Sequence, residues 1–152
     1  MRQEIRETLI ETFDFVQEDN QLLDILLKLG EERQVEQGQV LITEGEKANY
    51  FYVVLHGNAK VTVSPGISEI KIYTASAGEI IGFSSLVEPR LYKGNVEAMS
   101  NMTVLAFDAD ELLPLFKKHP RLGYLIMYSV SQFLSQRLLH SMFELMASSE
   151  VR

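Results

Sequence analysis

The residues best placed to do chemistry in this chain gather in two neighbouring stretches, Gly82-Phe83-Ser84-Ser85-Leu86 and Arg90 to Asn95. Their pattern predicts a strand, a tight glycine turn, one short helical turn, a loop and a second strand. Gly82 ahead of a brief helix leaves several backbone N–H groups unpaired and pointing the same way, and both those amides and the helix dipole favour negative charge. Ser84, Ser85 and Asn95 add hydrogen-bonding groups, while Phe83 and Tyr92 offer faces on which a flat ring can stack. Two cations lie near. Arg90 sits in the loop with freedom to swing inward, whereas alternation along a strand would turn Lys93 to the side opposite Tyr92. This is chemistry for holding a small anion. The competing reading is that the serines only close the helix start and the two aromatic rings fill a core.

Patterns for catalysis are missing. Leu86 stands where a nucleophile elbow needs its second glycine, and neither a phosphate-binding P-loop nor a dinucleotide fingerprint occurs. His56, His119 and His140 are far apart and show no metal-ligand spacing. With no cysteine there is no disulfide, thiolate metal site or thiol nucleophile. Glu44, Glu46 and Glu79 read as turn and surface carboxylates. A non-enzymatic protein without a metal is expected.

The elements that must position these residues follow from periodicity. Ile5, Leu9, Ile10 and Phe13 recur at helical spacing, and Leu22, Leu23, Ile25, Leu26 and Leu29 form a second amphipathic helix, with Asn20 as its cap and Gly30 as its stop. Glu31-Glu32 reads as a solvated turn. From Val35 the period becomes that of strands punctuated by Gly38, Gly45 and Gly57, and Ser64-Pro65-Gly66 suits a type II turn between Ala59–Val63 and Glu69–Tyr73. Many short strands with glycine turns indicate a β barrel or jelly roll. Asp108 and Glu111 then set up a helix as a capping box, and Pro114 is near enough to its start to be tolerated.

A last helix from Pro120 to about Met146 would be about 40 Å long. Its apolar stripe runs Leu122, Leu125, Ile126, Val130, Phe133, Leu134, Leu138, Met142 and Leu145, and Tyr124, Met127, Tyr128, Leu139 and Phe143 add apolar area away from it. One barrel cannot cover both faces of so long a helix. A second surface is therefore expected to pair with a partner, most simply the same helix of a second copy about a two-fold axis, with Leu122, Leu125, Ile126, Val130, Phe133, Leu134, Leu138 and Met142 assigned to the dimer helix.

The chain has 152 residues, 46% hydrophobic and 23% charged, which fits one ordinary globular domain over 1–152. Within it, 1–30 holds the N-terminal helices, 34–108 the barrel and 109–147 the C-terminal helices. The net charge of −7, from 14 basic and 21 acidic side chains, argues against a nucleic-acid surface. No apolar run approaches membrane-spanning length and nothing at the start resembles a signal peptide, so a cytoplasmic protein without membrane contact is expected.

The run Gly38-Gln39-Val40-Leu41-Ile42-Thr43-Glu44-Gly45, continuing to Tyr52-Val53-Val54-Leu55-His56-Gly57, resembles the opening strands of the cyclic nucleotide-binding domain family. That family includes catabolite-activator transcription factors, kinase regulatory subunits and cyclic-nucleotide-gated channels. Gly78-Glu79-Ile80-Ile81-Gly82 continues the resemblance, which implies a β jelly roll with flanking helices and a dimerising long last helix. The family's phosphate cassette has a Glu for the ribose hydroxyl and an Arg for the cyclic phosphate. Here Gly82, Leu86 and Val96 match it, but Phe83 falls where the Glu belongs, Tyr92 where the Arg belongs and Asn95 where a Ser or Thr belongs. A charge-assisted pair is worth about 1.5–3 kcal/mol, so its loss weakens binding roughly tenfold to a hundredfold.

The expectation is a regulatory domain that takes a noncanonical small anion, or a cyclic nucleotide weakly. Its alternatives are a ligand-free scaffold for dimerisation or protein docking, and the sensor half of a catabolite-activator-like regulator. Relatives of the last kind continue into a helix-turn-helix that could not form before Arg152, so DNA binding by this chain alone is not expected.

Overall fold

The computed structural model describes residues 2–13 and 19–150. Helix α1 (Arg2–Thr12) and helix α2 (Asn20–Leu29) open the chain. The cap of α2 is Asp19 and not Asn20: the Asp19 carboxylate accepts from the amides of Gln21 and Leu22 at 3.1 and 3.2 Å. Asn20 is already helical, and its side-chain oxygen accepts from Arg6 instead. Gly30 stops the helix as expected, for a different reason. Its φ is −66°, and a Cβ there would stand 2.7 Å from Leu105 Cγ, so close approach and not handedness requires glycine.

Eight strands follow: β1 (Glu31–Val35), β2 (Val40–Ile42), β3 (Tyr50–His56), β4 (Ala59–Val63), β5 (Ile70–Ala75), β6 (Ile80–Ile81), β7 (Asn95–Ala98) and β8 (Met102–Asp108). They form two antiparallel sheets in the orders β1-β8-β3-β6 and β2-β7-β4-β5, the crossed-over arrangement of a jelly roll. The Glu31-Glu32 turn is corrected to the start of β1, where Glu31 pairs with Ala106 and Glu32 with Leu105. An edge strand tolerates charged side chains because the ladder is made by its backbone. Gly66 has no positive φ, so the β4–β5 connection is an open bend and not a type II turn.

Alternation along the central strands divides the core in two. Phe51, Val53 and Leu55 of β3, with Leu105 and Phe107 of β8, face outward under Leu9, Phe13, Leu23 and Leu26 of the N-terminal region. Tyr52 and Val54, with Val104 and Ala106, face inward toward Ile42, Val61, Ile81, Tyr92 and Val96.

Helix α3 (Ala109–Lys118) begins where the Asp108 carboxylate accepts from the Asp110 amide at 2.9 Å. Helix α4 (Pro120–Glu150) has 31 residues, about 46 Å at the usual rise. Leu122, Leu125, Ile126 and Val130 are buried in the chain's own outer core, which corrects their assignment to a partner-facing stripe. The barrel exterior and α3 already supply that half of the helix with apolar contacts. Past Phe133 the apolar side chains leave the core, and Leu134, Leu138 and Met142 are exposed.

Candidate functional site

Between β6 and β7 the backbone makes the glycine turn that the sequence predicts. Gly82 sits at φ +78°, and a Cβ there would be 2.6 Å from the Tyr50 carbonyl, so two independent constraints demand glycine. A single 3₁₀ turn, Phe83–Leu86, follows. The Ser85 amide and hydroxyl both donate to the Gly82 carbonyl, at 3.0 and 2.7 Å. A turn closed in this way leaves the amides of Phe83 and Ser84 outside its own hydrogen bonds.

Beside the turn, inside the mouth of the roll, lies a cavity of about 140 Å³. Ile42, Val61, Val63, Ile72, Ile81 and Val96 make its aliphatic walls; Gly82, Phe83, Ser84, Tyr73, Tyr92, Lys93 and Gly94 complete it. Of the eight residues expected at a ligand, this brings together Gly82, Phe83, Ser84, Tyr92 and Lys93.

Ser85, Arg90 and Asn95 are outside the lining, each for a visible reason. Ser85 is fully buried with its hydroxyl spent on the turn. Asn95 Oδ1 accepts from the Glu44 amide at 2.9 Å and fixes the corner between β2 and β7. Arg90 does not swing inward. Its Nε donates to the Ser85 carbonyl at 3.0 Å and one terminal nitrogen pairs with Asp110 at 3.0 Å, tying the cassette loop to the first turn of α3.

Tyr92 is held as firmly. Its hydroxyl donates to the Tyr50 carbonyl at 2.8 Å and accepts from the Tyr50 amide at 3.1 Å, closing a gap in the ladder of β3. Burial pushes its phenol above the ordinary range. The ring is therefore a fixed piece of wall and does not turn over a guest.

Lys93 corrects the alternation argument. Strand β7 starts only at Asn95, so the residues before it are not pleated, and Lys93 joins Tyr92 at the same cavity. Its side chain is exposed and has no ion-pair partner among the described residues.

What the sequence reading missed is the link between this cavity and α4. The Phe133 ring lies 6.3 Å from Phe83 and 5.7 Å from Tyr73. The second contact is edge-on, so Phe133 wedges between two cavity residues. One turn later Arg137 pairs with Glu79 at 2.7 Å and lies 4.3 Å over the Tyr73 ring. Burial pushes the Tyr73 phenol up to about 12. Phe133 thus belongs to the barrel's own surface as well as to the helix stripe. Glu79, read as a surface carboxylate, anchors the helix. No periodicity could have joined Glu79 to Arg137, which are 58 positions apart.

Comparison with known proteins identifies the class. Residues 32–119 match the family described as "Cyclic nucleotide-binding domain". The chain belongs to that family of regulatory domains. Among solved structures, a cyclic nucleotide-binding domain from Methylobacillus flagellatus superposes with a TM-score of 0.81 at 20% identity, over 94% of this chain and 85% of that one. A Geobacter metallireducens protein described as a "Putative Cyclic nucleotide-binding protein" gives 0.72 at 24% identity, over 85% and 95%. The Thermus thermophilus catabolite activator protein gives 0.70 at 22% identity, over 89% of this chain and 62% of that one. At such identities these likenesses establish the jelly-roll fold with its flanking helices. A search of curated protein sequences finds no match. Among the described residues no helix is long and apolar enough to cross a membrane.

Proposed function

We propose that this is a non-enzymatic sensor domain of the cytoplasm, whose cavity takes a small ligand other than a tightly held cyclic nucleotide and whose occupancy biases α4. The observation that carries this is the Phe83–Phe133–Tyr73 contact, because two residues that bound the cavity also seat the long helix. A guest that displaces either ring changes the contacts that hold α4, which is how a ligand biases a two-state element. The exposed end of α4 then presents Leu134, Leu138, Met142, Phe143 and Leu145 to a second copy, so the output is a change in dimer geometry.

Restoring the family's polar pair tests the cassette reading. The double variant Phe83→Glu, Tyr92→Arg should bind cyclic AMP at least tenfold more tightly than the parent chain by calorimetry. The parent giving a nanomolar isotherm would refute the proposal.

The fixed Tyr92 hydroxyl favours a second reading, a ligand-free scaffold in which the ring fills the space of a vanished phosphate partner. A panel of nucleotides and small anions separates the two readings. No thermal shift and no heat from any of them supports the scaffold.

A further inference from the structure

We propose that the guest of this cavity is a compact monoanion with an apolar body: a small carboxylic acid bearing an aromatic ring or a branched chain. The inference rests on the sensor reading above and names the chemistry of its ligand.

Size sets the first bound. The cavity measures about 140 Å³. An engineered cavity of roughly 150 Å³ in a protein core takes a benzene ring. A purine, a ribose and a phosphate together need several times that room. The cavity opens to solvent, so a body of about one ring, or one branched aliphatic group, is enclosed by its walls and the rest of a guest lies at the mouth.

The walls set the second. Ile42, Val61, Val63, Ile72, Ile81 and Val96 offer no hydrogen bonds, so the part of the guest that lies among them must be apolar. Polar groups attached to that body would be desolvated without compensation. A ribose, with its hydroxyls, is the wrong chemistry for these walls.

The unspent polar groups set the third. The Tyr92 hydroxyl is committed to Tyr50; Arg90, outside the lining, gives Nε to Ser85 and one terminal nitrogen to Asp110, and its other terminal nitrogen is buried without a hydrogen-bond partner among the described residues. Ser84, with only 9% of its surface exposed, Tyr73 and Lys93 remain on the lining with no hydrogen-bond or ion-pair partner for their side-chain polar atoms among the described residues, beside the Phe83 and Ser84 amides that the turn leaves unpaired. One ammonium balances one negative charge. The ammonium with the Ser84 hydroxyl and the free amides beside it suits the two oxygens of a carboxylate, whereas a phosphate monoester dianion would keep half its charge uncompensated. A cyclic phosphodiester is a monoanion, and the apolar walls rather than its charge disfavour it. Because Lys93 is exposed at the mouth, the acid group stays at the rim while the body goes in.

Methyl-resolved NMR of the full chain tests this with four probes: phenylacetate, isovalerate, neutral phenylacetamide and cyclic AMP. Phenylacetate or isovalerate should move the methyl signals of Ile42, Ile81 and Val96 saturably. Phenylacetate should bind about tenfold more tightly than phenylacetamide, the expected weight of one charge-assisted contact. Lys93→Met, at an exposed position, should abolish that preference and leave phenylacetamide binding unchanged. Equal affinity for the acid and the amide overturns the assignment to Lys93. Cyclic AMP binding more tightly than both acids overturns the ligand class and leaves the sensor reading standing. Silence from all four probes overturns the ligand class, and the wider panel of nucleotides and small anions then decides between the sensor and the scaffold.

Discussion

Arg137 of α4 reaches Glu79 at the foot of β6 with 2.7 Å between the charged atoms, and on the way its guanidinium lies 4.3 Å over the Tyr73 ring. The same Glu79 accepts from the Ser76 amide at 2.8 Å through its other oxygen, so the carboxylate is held from two sides. Both charged side chains are more than two-thirds buried, which spares the pair much of the screening of an open surface. The free half of the long helix is fastened to the barrel at this point, one turn beyond the last ring that touches the cavity.

Removing the fastening should loosen the helix without unfolding the barrel. In a double-mutant cycle of Arg137→Ala and Glu79→Ala the coupling should be about 0.5–1.5 kcal/mol. Amide hydrogen exchange from Gln132 onward should accelerate in either single variant, while β3 and β8 keep their protection. Unchanged exchange in α4 would show that the pair fastens nothing.

Gly82→Ala should be costly. The glycine has a φ of +78°, and the added Cβ would meet the Tyr50 carbonyl at 2.6 Å. The left-handed conformation alone penalises an L side chain by about 1–2 kcal/mol. With the clash added, the expected loss by urea denaturation is about 2 kcal/mol or more. Because Tyr50 also holds the Tyr92 hydroxyl, the same change should disturb the cavity wall, visible as shifted Tyr92 ring resonances.

The exposed end of α4 makes a separable prediction about assembly. Leu138 is 64% exposed and Phe143 61%. Such a face on a projecting helix is a candidate interface. Sedimentation equilibrium should return a dimer for the parent chain and a monomer for Leu138→Asp, Phe143→Asp. Both positions are outside the core, so the stability of the barrel should move by no more than surface substitutions do, about 0.5 kcal/mol. Variants that remain dimeric would exclude this face.

Alkaline pH should destabilise the fold. Burial raises the phenols of Tyr52 and Tyr73 from 10.0 to about 12 and raises that of Tyr92 as well. A raised folded pKa means that the native state favours the neutral phenol. Their contribution is therefore complete below about pH 10, the unfolded value, and is lost progressively toward about pH 12. The urea midpoint should fall over that window, and Tyr73→Phe should flatten the fall. A midpoint that is flat through it would contradict the burial of these rings.

The legible part of the site was its backbone. Gly82, the turn after it and the family resemblance could be read because glycine spacing encodes local φ, and local φ needs no tertiary information. Side-chain direction was harder. Strand alternation extended two residues ahead of β7 turns Lys93 the wrong way, and nothing in the sequence names Asp110 as the partner that holds Arg90. The apolar stripe of α4 was a real stripe divided between two uses: Leu122 to Val130 for its own core, Leu134 to Met142 for solvent.

By itself, then, the sequence determined the class of fold and the glycine turn at Gly82, since period, turn chemistry and residue identity are all local properties. Tertiary structure alone decided that the space beside that turn is a largely apolar cavity with Lys93 at its mouth, and that Phe133 and Arg137 bind its walls to the long helix. Those contacts join positions far apart in the chain, and which side chains meet across such distances is fixed only once the two sheets and the helix have packed.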